Sequence, residues 1–150
     1  MEEFNNTLSI LSLVVAAVSS LVIGAIWYNP KVFGTAWMKA SGVTEEQAKN
    51  MNPVKTYGIA VVLAFLAAFM LSTMVLMGGT PDMPHGPGGD FMTFKHGALH
   101  GTLAALFLVM PAMAVNALFE GKSFKYILIN VGYWVVTFAV MAGIINMWPA

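Results

Sequence analysis

The stretch LSILSLVVAAVSSLVIGAIWY, Leu8–Tyr28, contains no Asp, Glu, Lys or Arg. At about 1.5 Å of helical rise per residue, roughly 20 apolar residues span a ~30 Å hydrocarbon core. Three further runs, Tyr57–Met77, His96–Leu118 and Tyr126–Met147, have similar length and the same lack of charge. Together they predict an all-α polytopic membrane protein, one domain over residues 1–150, with four transmembrane helices and the lipid bilayer as its first partner. The segment before the first run is acidic at Glu2 and Glu3. A cleaved leader has a basic start and a shorter apolar stretch, so this run reads as a retained helix.

Hydrophobic residues make up 58% of the chain and charged residues 9%, against about a quarter charged in soluble domains. The formal net charge is zero, which gives nucleic acid no electrostatic hold. All seven basic residues are Lys, so no guanidinium fork is present for phosphate or carboxylate. Cys is absent, which excludes disulfides, thiolate metal sites and Cys nucleophiles.

The connections predict the orientation. Connection one, Asn29–Thr56, carries Lys31, Lys39, Lys49 and Lys55, and connection three, Phe119–Lys125, carries Lys122 and Lys125. These two share a membrane face, whereas the opposite face holds only Lys95. The positive-inside bias puts connections one and three in the cytoplasm and both termini outside. Within connection one, Val32, Phe33, Ala36, Trp37 and Ala40 recur at helical spacing, so Lys31–Ala40 reads as a short interfacial amphipathic segment. Gly42 stops it. Thr44 and Gln47 match a capping box that opens a helix over Glu45–Met51 before Pro53. Connection two is rich in Gly and Pro and reads as an extended outer loop. Trp27, Tyr28, Trp37, Tyr57, Tyr126 and Trp148 sit where an aromatic interfacial belt belongs.

Two signatures carry a resemblance. Gly24-Ala-Ile-Trp27-Tyr28-Asn-Pro30, followed by Phe33-Gly34 and Ala36-Trp37-Met38, is the first. Asn116-Ala-Leu-Phe119-Glu120-Gly121-Lys122, followed by Ile129-Asn130-Val-Gly132-Tyr133-Trp134, is the second. Over nearly its whole length the chain resembles the domain of unknown function 1761 family of small bacterial integral membrane proteins. The resemblance implies a four-helix protein of the bacterial cytoplasmic membrane. It supplies no reaction, substrate or catalytic residue.

Two polar constellations stand out. On the cytoplasmic side, Trp27, Tyr28, Asn116, Glu120, Asn130, Tyr133 and Trp134 form a candidate cluster from helices one, three and four. Asn130, Tyr133, Trp134 and Thr137 make one helical stripe, and Asn116 and Asn130 lie at similar depth. A buried amide in lipid needs a partner, so one reading has these two Asn fastening helices three and four. The other reading is a cavity lined by Asn116, Glu120, Asn130, Tyr133 and Trp27. Glu120, beside Lys122 and Lys125, reads first as an ordinary loop charge; buried instead, it would be a proton carrier. At the outer side, His96 and His100 are spaced i, i+4, with His85, Asp90, Asp82 and Asn146 as further candidate ligands for zinc, copper or nickel. The pair lacks the acidic residue of a His-Glu-x-x-His motif. The plainer reading is an interfacial His96 and a His100 hydrogen-bonded to a neighbour, with no cofactor.

Gly97-x-x-x-Gly101, followed by Ala105, gives helix three a smooth stripe for close packing. An internal helix or a second subunit would fit it, and a thin four-helix bundle favours a homo-oligomer. Pro111 predicts a kink in the same helix. Three functional classes stay open: a non-enzymatic self-associating helical module, which leads; a small-solute or ion transporter with a cavity at helices one, three and four; and a membrane-embedded enzyme acting on a lipid or through a metal. His96/His100 and Glu120 lie near opposite faces and cannot form one catalytic centre.

Overall fold

The computed structural model describes residues 9–76 and 89–148. Connection two from Gly78 to Gly88, with His85 and Asp82, lies outside the described residues, as do Glu2 and Glu3. No strand occurs among the described residues. Four apolar helical spans cover Ile10–Trp27, Pro53–Leu76, Phe94–Phe119 and Phe124–Met147. We label the helices α1 (Ile10–Trp27), α2 (Thr35–Ser41), α3 (Glu45–Lys49), α4 (Pro53–Leu76), α5 (Phe94–Ala104), α6 (Met110–Phe119) and α7 (Phe124–Met147).

Local chemistry sets the ends. Ser9, Thr93 and Ser123 cap α1, α5 and α7 by accepting from the N–H groups of Ser12, His96 and Tyr126. The capping box at Thr44 and Gln47 is present with both of its bonds. The helix it opens is shorter than the sequence predicts, ending at Lys49 rather than Met51. Asn52 accepts the Lys55 N–H, and Pro53, whose missing donor is harmless in a first turn, starts α4 four residues ahead of the apolar run. Lys55 therefore belongs to the helix. α6 ends with Gly121 at φ 67°, where the Lys122 N–H reaches Ala117 O and the Gly121 N–H reaches Leu118 O. That is a Schellman closure, and it turns the chain directly into α7.

Pro111 acts through the turn before it. Residues Ala105–Val109 form a π-helical turn, and the Met110 N–H donates to Ala105 O, five residues back. Widening one turn makes room for a ring that would otherwise meet the carbonyl of residue 107. The third span is thus two helices joined through a bulge.

α7 is the centre of the bundle. Leu13 and Ala16 of α1, Ala68, Leu71 and Val75 of α4, and Ala104 of α5 enclose Met141, Ala142 and Ile145. The outward residues Val14, Val18, Val22 and Ile26 are exposed at i, i+4 spacing on α1. An exposed stripe of this kind suits hydrocarbon as its solvent. Buried Ser12, Ser20 and Ser72 donate to carbonyls three residues back, so each hydroxyl is satisfied within its own helix.

The glycine stripe is filled within the chain. A methyl group placed on Gly97 would fall on the Ala142 carbonyl, and one on Gly101 would fall on the Phe138 carbonyl. The two backbones of α5 and α7 touch there, which only glycine permits. The stripe that raises the homo-oligomer expectation therefore serves an internal contact. Gly58 on α4, in contrast, has open space around it. Gly101→Ala should destabilise the protein by about 1–3 kcal/mol through overpacking. Gly58→Ala should leave stability unchanged or raise it by up to about 1 kcal/mol through helix propensity. Thermal unfolding in one detergent reads both variants.

Candidate functional site

The Trp-Tyr-Asn-Pro segment ends α1 by a tight reversal. The Tyr28 N–H still bonds Gly24 O. Asn29 then accepts the Lys31 N–H on its side chain, and its carbonyl accepts from both Val32 and Gly34. Pro30 opens a π-helical turn over Pro30–Gly34 that leads into α2. The expected amphipathic segment Lys31–Ala40 is therefore a wide turn followed by a short helix. Lys122 secures the far end of α2 by donating from Nζ to Ser41 O at 2.9 Å. Connections one and three consequently meet at one end of the bundle.

This reversal holds two aromatic rings against α7. Trp27 Nε1 donates to Ile129 O at 3.0 Å. Its ring lies where a side chain on Gly132 would sit, so the glycine makes that approach possible. The Tyr28 hydroxyl donates to Asn130 Oδ1 at 2.9 Å, and Asn130 Nδ2 donates to Tyr126 O at 2.8 Å. The Tyr133 hydroxyl reaches back to Ser20 O at 3.1 Å, with its ring against Gly24. Tyr28 packs edge-on to Trp37 and at a tilt to Tyr133, and Tyr133 packs edge-on to Trp134. Such pairs are worth about 0.5–1.5 kcal/mol each beyond burial. Three of these bonds, from Trp27, Tyr28 and Tyr133, and the rings fasten the first span to the fourth.

The sequence-based pairing of Asn116 with Asn130 is corrected by this geometry. Asn130 is buried and joined to Tyr28, while Asn116 is exposed on α6. Ala114 and Ala117, three residues apart, turn towards Tyr126, Ile127, Val131 and Val135 of α7. Asn116 is about 100° round the helix from Ala117 and falls off that seam. Glu120 is also exposed, at the C-terminal end of α6. Of the cluster read from sequence, Trp27, Tyr28, Asn130, Tyr133 and Trp134 come together, and Asn116 and Glu120 stay apart from them.

A cleft of about 720 Å³ opens between α1, α4 and α7. It takes in Tyr28 and Tyr133 of the cluster read from sequence but not Trp27, Asn116, Glu120 or Asn130. Ser20, Gly24 and Tyr28 of α1 line it at i, i+4, i+8, opposite Thr56, Tyr57 and Ala60 of α4, with Tyr133 of α7. The small-residue spacing of Ser20 and Gly24 above Tyr28 was a legible signal in the sequence; the contribution of α4 was not. None of the described lining residues is charged. From the start of α4 the cleft runs to Ser20, seven residues inside the end of α1, a depth of about 10 Å at helical rise. Its size falls within the usual range for small-molecule sites, about 300–1,000 Å³.

The histidines form a separate feature about 20 Å along α7 from Tyr133, by the rise per residue to Asn146. His96 and His100 face each other with Nε2 atoms 3.0 Å apart. One ring donates and the other accepts, so at least one imidazole is neutral in this arrangement. Phe91 stacks on His96 at 4.9 Å. Asn146 Nδ2 donates to Phe91 O and Thr93 O, both at 2.8 Å, and so clamps the start of α5. Asp90 is exposed, and among the described residues no three His, Cys, Asp or Glu side chains gather into a metal-binding group.

Asn130→Ala should lower the stability of the detergent-solubilised protein by about 1–2 kcal/mol, since it removes an interhelical bond and leaves Tyr28 unpaired. Asn116→Ala should change it by less than about 0.5 kcal/mol, as for a surface site. Chemical unfolding of the two variants side by side checks the assignment.

No curated protein matches the chain, and no solved structure does. Residues 11–146 match the family described as "Protein of unknown function (DUF1761)". The match takes in both signatures, all but the edges of the four spans, and every residue of the aromatic latch and the cleft, and the chain belongs to that family.

Proposed function

We propose that this protein is a non-enzymatic membrane module whose working part is the cleft between α1, α4 and α7, and that the cleft holds a neutral amphiphilic small molecule drawn from the bilayer. The observation that carries the reading is an uncharged, aromatic and hydroxyl-lined cleft of about 720 Å³ at the end of the spans. Apolar walls with a few convergent polar groups are what orient a small ligand. A lone ion would lose its hydration there without a compensating charge, which disfavours ion conduction.

Native mass spectrometry of protein released from nanodiscs tests this. The expected result is a reproducible neutral adduct in the natural protein. Ala60→Trp, which fills the cleft, should remove the adduct while circular dichroism stays unchanged. A bare natural protein would overturn the reading.

For orientation we propose the cytoplasmic membrane of a bacterium, with connections one and three inside. The support is the placement of six of the seven Lys on those connections or in the first turn of the helices they lead into. Because the chain lacks Cys, single substitutions report cleanly. Asp90→Cys should react with an impermeant maleimide added outside intact cells, and Glu46→Cys only after lysis.

A further inference from the structure

We infer that His96 and His100 form a binding site for a divalent late transition-metal ion, copper, nickel or zinc, held by the two Nε2 atoms in adjacent coordination positions; this stands independently of the cleft. The two rings project from successive turns on one face of α5. Their Nε2 atoms are 3.0 Å apart. Two nitrogens bound to one ion at about 2.0–2.1 Å, with an angle of roughly 90–110° between them, are about 2.9–3.4 Å apart. The pair therefore already has the spacing of two neighbouring ligands. The lean of the rings agrees. Rings meeting head to head through such a contact would hold their centroids farther apart than the observed 4.6 Å, so the rings are tilted off the line between the nitrogens. Both are rooted on the same helix face, so they tilt the same way, and the two Nε2 atoms aim at a common point beyond them.

Packing holds the pair in place. Gly97 and Gly101 each follow one of the histidines, and at those glycines α5 meets the Ala142 and Phe138 carbonyls of α7. That contact fixes the rotation of α5. It places the two histidines about 100° round the helix, at the half-buried edge of the seam. Thr93 caps the first turn by accepting the His96 N–H, and Asn146 ties Phe91 and Thr93 to α7. Phe91 stacks on the His96 ring. Ligands anchored in this way on a packed helix lose little freedom when an ion binds. Without an ion, the two facing nitrogens of a neutral pair share one proton. When an ion binds, that proton moves to Nδ1 of its own ring and both Nε2 lone pairs go to the metal, so a neutral pair takes up the ion without releasing a proton. Two protein ligands leave the remaining positions to water. The site thus exchanges its ion, unlike a closed four-ligand structural site.

The chain has three His and no Cys, so few other side chains compete for such an ion. Cu²⁺ is the probe, because it binds a given nitrogen site more tightly than nickel or zinc. Protein without a histidine tag, in nanodiscs, is titrated with Cu²⁺, and pulsed electron paramagnetic resonance counts the coordinated imidazoles. The expected result is one Cu²⁺ per chain carrying two imidazoles. His96→Ala and His100→Ala should each lose the two-imidazole signal, and His85→Ala should keep it. Absence of bound Cu²⁺ in the natural protein, or a spectrum with one imidazole or none, overturns the inference. So does a two-imidazole signal that survives in His96→Ala or His100→Ala, or one that is lost in His85→Ala. Since His85→Ala leaves the pair as the sole histidines of the chain, its spectrum decides the matter even where the other two variants fail to fold.

Discussion

The backbone contact between the third and fourth spans is the constraint on which the bundle depends. Without side chains at Gly97 and Gly101, α5 rests on the Ala142 and Phe138 carbonyls of α7. Helices in lipid gain little from apolar burial alone, because lipid tails are as apolar as Leu, so close packing must supply the attraction. Once α5 occupies that side of α7, α1 and α4 close over the rest, around Met141, Ala142 and Ile145. The clamp from Asn146 to Phe91 O and Thr93 O sets the register of the same contact at one end.

At the opposite end the bundle is held by hydrogen bonds instead of glycine contacts. Trp27, Tyr28 and Tyr133 each bridge α1 and α7, and each ends on a carbonyl or an amide oxygen. That arrangement satisfies the polar atoms of a short aromatic motif in a region where an unsatisfied group is costly. Tyr28 and Tyr133 also line the cleft beside it, so residues that hold the helices together form part of its wall.

Some features were readable from the residues because they depend on near neighbours. The capping box at Thr44 and Gln47, the stop at Gly42, and the run lengths of the four spans follow from spacing of a few residues. The disturbance at Pro111 is local as well, though its form, a wide turn at Ala105–Val109, depends on how the helix relieves the clash. Asn116 shows where such reading stops. Depth along the helix was legible, but the rotation of α6 about its own axis was not. Ala114 and Ala117 won the seam with α7, and the amide was left outside it.

By itself the sequence determined that this chain is a four-span helical membrane protein, that Thr44 and Gln47 open one short helix, and that Gly42 ends another. These are consequences of hydropathy, run length and i, i+3, i+4 spacing, all of them local. Only the tertiary structure decided that Asn130 answers Tyr28, that the glycine stripe is used inside the chain, and that α4 supplies the far wall of the cleft. Those outcomes depend on which helix lies beside which and on how each is rotated. Packing between residues as far apart as Tyr28 and Asn130 sets that choice, and no local period encodes it.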